Sequence, residues 1–241
     1  MNETAKTFDE IVNNRRSIRI FDTEHQLDEG VVKRSIERAI LAPNSSNLQL
    51  WEFYRIKSDE AKNAVVPICL NQNAAKTASE LVVFVSRPDL WRKRIKANVE
   101  NLKKTGLKRE TITGGSPFDY YEKMLPQLYN TDLPLIRDFA KKIVLLSKGN
   151  KPFVQEVMSK DVPVIAQKSV ALAAQTFMLS IKAEGYDSCP MEGYDSKKMK
   201  KYLKLPAKAE INMVVGVGKG KPEGRYGDRF RIPNEEVIFE L

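Results

Sequence analysis

The chain has 241 residues, 42% of them hydrophobic and 29% charged, and its 40 Lys and Arg against 31 Asp and Glu give a formal net charge of +9. This composition excludes a disordered or low-complexity polymer and a repeat array, and it suits one domain over residues 1–241. Cys69 and Cys189 offer neither a disulfide framework nor metal-ligand spacing, His25 is the only histidine, and the start carries no apolar leader, so a soluble cytoplasmic protein without a metal is expected.

Thr7 with Glu10 three residues on forms a capping box, and Phe8, Ile11 and Val12 follow at helical spacing, which predicts a first helix ending near Arg15. Asp28 caps a second helix through Val32, Ile36, Ala39 and Ile40 to Ala42, where Pro43 forbids its continuation. Residues 43–47 are turn formers with hydrogen-bonding side chains. A strand is predicted over 51–57, and the unbroken apolar run 81–85 reads as a strand covered on both faces, ended by Arg87 and Pro88. Residues 89–160 predict several helical stretches, one over 132–146, broken at Gly114-Gly115 and Gly149-Asn150. The basic run 92–109 has no aromatic after Trp91, so it predicts the wet face of a helix rather than a stacking platform for nucleic acid.

Residues 162–184 predict a long helix that is apolar on nearly all sides, rich in Ala and Ser and capped by Gly185. Such a helix belongs at the centre of the domain or across a subunit boundary, and Gln167, Lys168 and Gln175 argue against a membrane span. Residues 211–217 predict a strand, and Gly216-x-Gly218-x-Gly220 a turn, because no helix follows for a phosphate to cap. Residues 236–241 predict a last strand, on this sheet or on the edge of another. His25 is expected at the surface and Cys189 packed quietly. The mixture of strands and helices gives an α+β domain.

Arginines at both ends carry the main functional signal: Arg15, Arg16, Ser17 and Arg19 near the start, Arg229 and Arg231 near the finish. Guanidinium groups match phosphate oxygens with paired, charge-assisted hydrogen bonds, and a monoester with about two negative charges needs several donors at once. The two termini are therefore expected to close one anion site.

Four segments stand in sequence: Arg15-Arg16-Ser17-Ile18-Arg19; Ala42-Pro43-Asn44-Ser45-Ser46-Asn47-Leu48-Gln49; Ser188-Cys189-Pro190-Met191-Glu192-Gly193; and Arg229-Phe230-Arg231-Ile232-Pro233. With Asn71-Gln72 and Gln167 between them, they resemble the FMN-dependent nitroreductase family in order and spacing over most of the chain. The resemblance implies a nitroreductase-like α+β fold, with a central, mainly antiparallel sheet flanked by helices. It also implies a long buried helix at a homodimer interface and a variable helical insertion at about 89–160. In such a protein Arg15, Arg16, Ser17, Arg229 and Arg231 hold the FMN phosphate and ribityl chain, and Arg19 lies near the pyrimidine end of the ring. Pro43, Asn44, Ser45, Ser46, Asn47 and Asn71 then lie against the cofactor. Pro190, Met191, Glu192 and Gly193 form the bend that directs the Glu192 amide at flavin N5, so the N–H of Glu192 matters more than its carboxylate and no side chain is a catalytic acid or base.

The same resemblance implies NADH or NADPH as donor and a nitroaromatic, quinone or similar small-molecule acceptor in a ping-pong sequence, with no nucleic-acid or membrane partner. Reductive dehalogenation or flavin destruction on the same fold is the alternative reaction, and a non-catalytic flavin- or nucleic-acid-binding protein the remaining one. Two positions depart from the family pattern. Ala74 stands where many relatives have a lysine near the flavin, leaving that contact absent or supplied by Arg19 or Lys76, and Leu50 interrupts the familiar Gln-Pro-Trp.

Overall fold

In a β-strand successive side chains point to opposite faces, so an unbroken apolar run requires cover on both. The computed structural model, which describes residues 2–106, 116–147, 152, 154–156 and 158–241, supplies that cover. Strands β1 (Trp51–Ile56), β2 (Glu80–Ser86), β3 (Asp187–Met191) and β4 (Glu210–Gly218) pair antiparallel in the order β1-β2-β4-β3. All seven residues of β2 are buried. Leu81, Val83 and Val85 pack on one face with Phe21, Val65, Ile68, Val214 and Met199. Val82 and Phe84 pack on the other with Val170, Ala173, Ala174, Phe177 and Ile181.

Helices surround the sheet: α1 (Glu3–Asn14), α2 (Glu29–Ala39), α3 (Asp59–Ile68), α4 (Asn73–Thr77), α5 (Trp91–Lys104), α6 (Pro117–Asp119), α7 (Leu125–Tyr129), α8 (Pro134–Ser147), α9 (Asp161–Ala183) and α10 (Ser196–Tyr202). A π-helical turn, Tyr120–Met124, joins α6 to α7. Small residues Ala173 and Ala174 let α9 lie close against the sheet, and Phe84 and Phe177 meet edge to face at 5.3 Å. A third cluster, including Leu48, Trp91, Ile95, Phe118 and Tyr129, closes the end built from α5 to α7. On α5 the buried residues Trp91, Ile95 and Val99 recur every four positions, which leaves its basic residues on the wet side as predicted for the described part of 92–109. The glycine breaks predicted at Gly114-Gly115 and Gly149-Asn150 lie outside the described residues.

Several local expectations are corrected. Helix α1 starts at Glu3, capped by Asn2, whose side chain accepts from the Ala5 amide at 2.8 Å; Thr7 is interior and returns its hydroxyl to the Glu3 carbonyl at 3.1 Å. The Asx cap was available one turn earlier and took the role of the Thr-x-x-Glu box. Helix α9 is not buried all round, because Val164 and Leu172 are about half exposed on a stripe with Lys168 and Gln175. Gly216 and Gly218 are strand residues of β4 rather than a turn. A Cβ on Gly216 would meet the Ala74 carbonyl oxygen at 2.8 Å, so glycine there permits close packing of α4. Residues 236–241 form no strand; Val237, Ile238 and Phe239 are exposed and none pairs with the chain's own sheet.

Helix α8 is inverted. Arg137 donates to the carbonyls of Gln127 and Leu128, and Asp138 accepts from the amide and hydroxyl of Ser159 at 2.9 and 2.8 Å, while Leu135, Ile136, Phe139, Ile143 and Leu146 face outward.

Helices α2 and α9 are cross-linked by polar groups. Glu184 accepts from Arg34 at 2.7 and 3.2 Å and from Arg38 at 2.5 Å, and the hydroxyls of Ser35 and Ser180 meet at 3.0 Å. Hydrogen bonds from Arg34 and then Arg38 hold the Glu184 carboxyl down at about 2. Its folded pKa lies below the ordinary 4.5, so its contribution to stability is present above about 4.5 and is lost as pH falls towards 2. Glu184→Gln is expected to cost about 1–2 kcal/mol at neutral pH, the low part of the range for bonds to charged groups, because both arginines are half exposed. Urea unfolding at stepped pH checks this: the gap between variant and wild type should close through the acid window, and a gap that persists at pH 2 contradicts the assignment.

Candidate functional site

The two chain ends meet along one ribbon. Ile18 and Phe21 are buried, which turns Arg19 outward between them, and the N-terminal segment then runs beside residues 219–227. Asp22 donates its amide to the Lys219 carbonyl at 2.7 Å, Lys221 to Ile20 at 3.0 Å and Arg19 to Gly224 at 2.8 Å. A Cβ on Gly224 would lie 2.6 Å from both the amide nitrogen and the carbonyl oxygen of Ile20, so only glycine lets the two backbones come this close. Ile18 donates to the Ser188 carbonyl at 3.2 Å, which ties the same segment to the outer edge of β3.

Side chains extend the ribbon to the arginines. Arg16 donates to the Gly227 carbonyl at 3.0 Å. Arg229 donates to the carbonyls of Val12, Asn13 and Arg15 at 3.4, 2.9 and 2.8 Å, so it also satisfies the open C-terminal end of α1, where the helix dipole favours a cation. The result is a cavity of about 180 Å³ lined by Arg15, Arg16, Ser17, Arg19, Tyr226, Asp228, Arg229, Phe230 and Arg231.

Five guanidinium groups crowd this cavity, and among the described residues none of them forms an ion pair with a carboxylate. Burial and then the charges of Arg229, Arg231 and Arg16 pull the Arg15 guanidinium below its ordinary range. Arg16 shifts the same way through desolvation and the neighbouring Arg225 and Arg229, with Asp228 opposing. Five cations held together against the single carboxylate of Asp228 leave an excess of positive charge that suits an anion.

A second cavity of about 320 Å³ adjoins the first and is lined by Arg19, Gln72, Asn73, Ala74, Cys189, Pro190, Met191, Glu192 and Tyr226. Arg19 and Tyr226 line both, so the cationic end opens directly into the wider one. The two together reach the range of about 300–1,000 Å³ usual for ligand sites. Gln72 braces the floor of the bend after β3, donating to the Cys69 carbonyl at 3.1 Å and the Gly193 carbonyl at 2.6 Å. Tyr194 braces its far side, donating to the carbonyls of Ile211 and Asn212, and burial pushes its phenol up to about 12. At the edge of β3 the Ser188 carbonyl is taken by Ile18, Pro190 has no N–H, and the Glu192 amide has no hydrogen-bond partner among the described residues. Among the described residues the amides of Asn73 and Ala74, which also line this cavity, are likewise without a partner.

The structure thus brings together Arg15, Arg16, Ser17, Arg19, Arg229 and Arg231 with Pro190, Met191 and Glu192. Gly193 lies at the bend under Gln72. Asn71 is adjacent, in the left-handed region at φ 54°, and delivers Gln72 and Asn73 to the cavity without lining it. Ala74 lines the cavity and Lys76 does not, so of the two cations that could stand in for the missing lysine only Arg19 is present there.

Residues Pro43, Asn44, Ser45, Ser46 and Asn47 line neither cavity within one chain. Their loop is tied instead to α5, α9 and the π-helical turn: the Asn44 side chain accepts from the Gln49 amide at 2.8 Å, the Ser45 amide donates to Ser169 at 3.2 Å, Ser46 and Tyr120 hydroxyls meet at 2.6 Å, and Asn47 and Asn98 exchange two bonds of 3.0 Å. Ser46, Asn47 and Gln49 all have positive φ, a strain that the surrounding bonds over-determine.

Gln72, Asn73 and Tyr226 were not singled out as site residues by the sequence reading. They reach the site through the pairing of distant segments, for which single-residue chemistry gives no signal. Cys189 is buried at the cavity wall and burial raises its thiol, partly opposed by Arg19, in keeping with quiet packing. His25 is exposed, near the Tyr186 ring. Among the described residues no group of His, Cys, Asp and Glu could hold a metal ion.

The chain is similar to known proteins over nearly its whole length. The nitroreductase family model matches residues 12–219. Protein DrgA of Synechocystis sp. is 32% identical over 235 residues, 98% of this chain and 94% of its own length. YodC of Bacillus subtilis, whose assignment as an NAD(P)H nitroreductase is itself a proposal, is 24% identical over 92% of this chain and 94% of its own. Among solved structures, ydfN of Bacillus subtilis superposes with a TM-score of 0.76 at 22% identity, covering 99% of this chain and 100% of that one. A protein from Exiguobacterium sibiricum 255-15, crystallised in complex with FMN, gives 0.69 at 22% identity with 97% of both chains covered.

Proposed function

Because the chain belongs to the nitroreductase family, we propose that it is an FMN-dependent oxidoreductase that takes electrons from NADH or NADPH and passes them to a nitroaromatic, quinone or similar small acceptor. One observation carries this reading: five arginines from both termini, none ion-paired among the described residues, line a cavity that shares Arg19 and Tyr226 with a wider one, where the Glu192 amide has no partner among the described residues. The donor set fits FMN. Arg15, Arg16, Ser17, Arg229 and Arg231 would hold the phosphate, Arg19 would sit between tail and ring, and Glu192 would offer its N–H to the ring's N5. When bound, FMN supplies the hydride chemistry, accepting from the nicotinamide and delivering to the acceptor in alternation. The protein holds the ring's edge, sets the charge beside it and leaves access for one small molecule at a time.

We propose further that a second copy of the chain completes the site. The strained loop 43–47, fixed outside the groove of its own chain, is then the part that meets the partner's cofactor. The outward apolar faces of α8 and α9 and the exposed Phe230, Ile232, Val237, Ile238 and Phe239 support such an assembly. Light scattering on the purified protein should give twice the chain mass, and a monomer that still binds FMN would contradict the shared site.

The test of function is steady-state oxidation of NADH and of NADPH with a nitroaromatic or quinone acceptor, by protein whose visible spectrum shows bound flavin. Turnover with either nucleotide supports the reading. A yellow protein that oxidises neither points to dehalogenation or flavin destruction, and a colourless protein that takes up no FMN and shifts DNA mobility points to a non-catalytic binder.

A further inference from the structure

We infer that Tyr226 is a positioning residue: its ring fixes the guanidinium of Arg19 at the seam between the anion cavity and the ring-side cavity, and so sets the charge that the bound flavin ring feels. The inference rests on the FMN reading above. The guanidinium carbon of Arg19 lies 4.9 Å from the centroid of the Tyr226 ring, a cation–π distance. These two residues alone line both cavities. Neither side chain has another hydrogen-bond or ion-pair partner among the described residues, so the ring face is what the arginine has to rest on.

The backbone prepares the pair. The bond from the Arg19 amide to the Gly224 carbonyl at 2.8 Å and that from Arg16 to the Gly227 carbonyl at 3.0 Å bracket Tyr226 and hold it opposite Arg19. The side chains themselves are exposed, so their mutual orientation depends on the contact between them. A long arginine beside four others would otherwise swing into solvent, because like charges repel it and its free rotamers favour it there. Among the described residues Arg19 is the one cation lining the ring-side cavity, and its charge is already felt at Cys189 on the cavity wall. A flavin ring gains negative charge on reduction, so a cation held beside it favours the reduced form. A residue that holds the cation still therefore acts on the reduction potential more than on tail binding.

The test compares Tyr226→Phe, Tyr226→Leu and Arg19→Gln by FMN titration and by the two-electron midpoint of the bound flavin, equilibrated against a reference dye. Tyr226→Phe keeps the ring face and should match wild type. Tyr226→Leu should favour the reduced form three- to tenfold less, about 15–30 mV lower, with oxidised FMN bound within about threefold of wild type. Arg19→Gln should lower the midpoint at least as far, and adding Tyr226→Leu to it should change little more. An unchanged midpoint in Tyr226→Leu, or an equal fall in Tyr226→Phe, overturns the inference while leaving the FMN reading intact. A wild-type protein that takes up no FMN overturns both.

Discussion

Arg15→Ala or Arg231→Ala is expected to weaken FMN binding roughly tenfold or more, since each charge-assisted hydrogen bond is worth about 1.5–3 kcal/mol. Arg15 has no hydrogen-bond partner for its guanidinium among the described residues and is pulled below its ordinary pKa by burial and three neighbouring arginines. Removing it relieves repulsion in the apo protein, so its thermal midpoint should hold or rise while FMN affinity falls. Arg229→Ala separates the two effects. Its guanidinium also closes the end of α1, so that variant should lose affinity and stability together. Arg92 lies on α5, pairs with Asp132 at 2.5 Å and stacks over Trp91, and Arg92→Ala should leave FMN affinity unchanged. Flavin fluorescence during titration of the apo variants measures all four, and equal affinity across them would remove the arginines from the site.

Glu192→Pro is expected to lower turnover about 10²–10³-fold, the usual effect of deleting one preorganised backbone donor at a centre that gains charge. The substitution removes an N–H that has no partner among the described residues, so no sheet bond among them is lost. FMN affinity should stay within about threefold, because the phosphate grip lies in the other cavity and supplies most of the charge-assisted bonds. Glu192→Gln, which keeps the amide and discards the charge, should retain turnover within about threefold by the same reasoning. Stopped-flow reduction of the bound flavin by NADH or NADPH, with circular dichroism as a control for folding, distinguishes the two. Loss of rate in Glu192→Gln would transfer the role to the carboxylate.

Much of this was legible because the decisive residues carry unusual chemistry in short runs. The paired arginine segments at both ends, the Pro190 to Gly193 bend and the apolar run of β2 each point to one structural outcome. Asp28 marks the start of α2 for the same reason, since a cap acts locally, whereas the helix ends at Ala39, short of the expected Ala42 before Pro43. What stayed hidden depends on distant pairing. Tyr226 reads as an ordinary loop aromatic until the Gly224 backbone closes on Ile20. Gly216 and Gly218 read as a turn because the demand for a missing side chain comes from Ala74 and Phe21 rather than from the local backbone. The tail at 236–241 has strand-forming residues, yet no edge of its own sheet accepts it. Helix α8 has a sidedness that a helical reading of 132–146 does not address: its apolar face is exposed, while its charged face makes contacts with its own chain.

The claim on which the rest depends is that the clustered guanidinium groups recognise a phosphate monoester on the end of a flavin. Calorimetric titration of apo protein with FMN and with riboflavin, which lacks the phosphate, tests it most directly. Two charge-assisted bonds of about 1.5 kcal/mol each predict at least about 100-fold tighter binding of FMN, with the gap narrowing as salt rises. Equal affinity for the two flavins at low ionic strength would contradict the account.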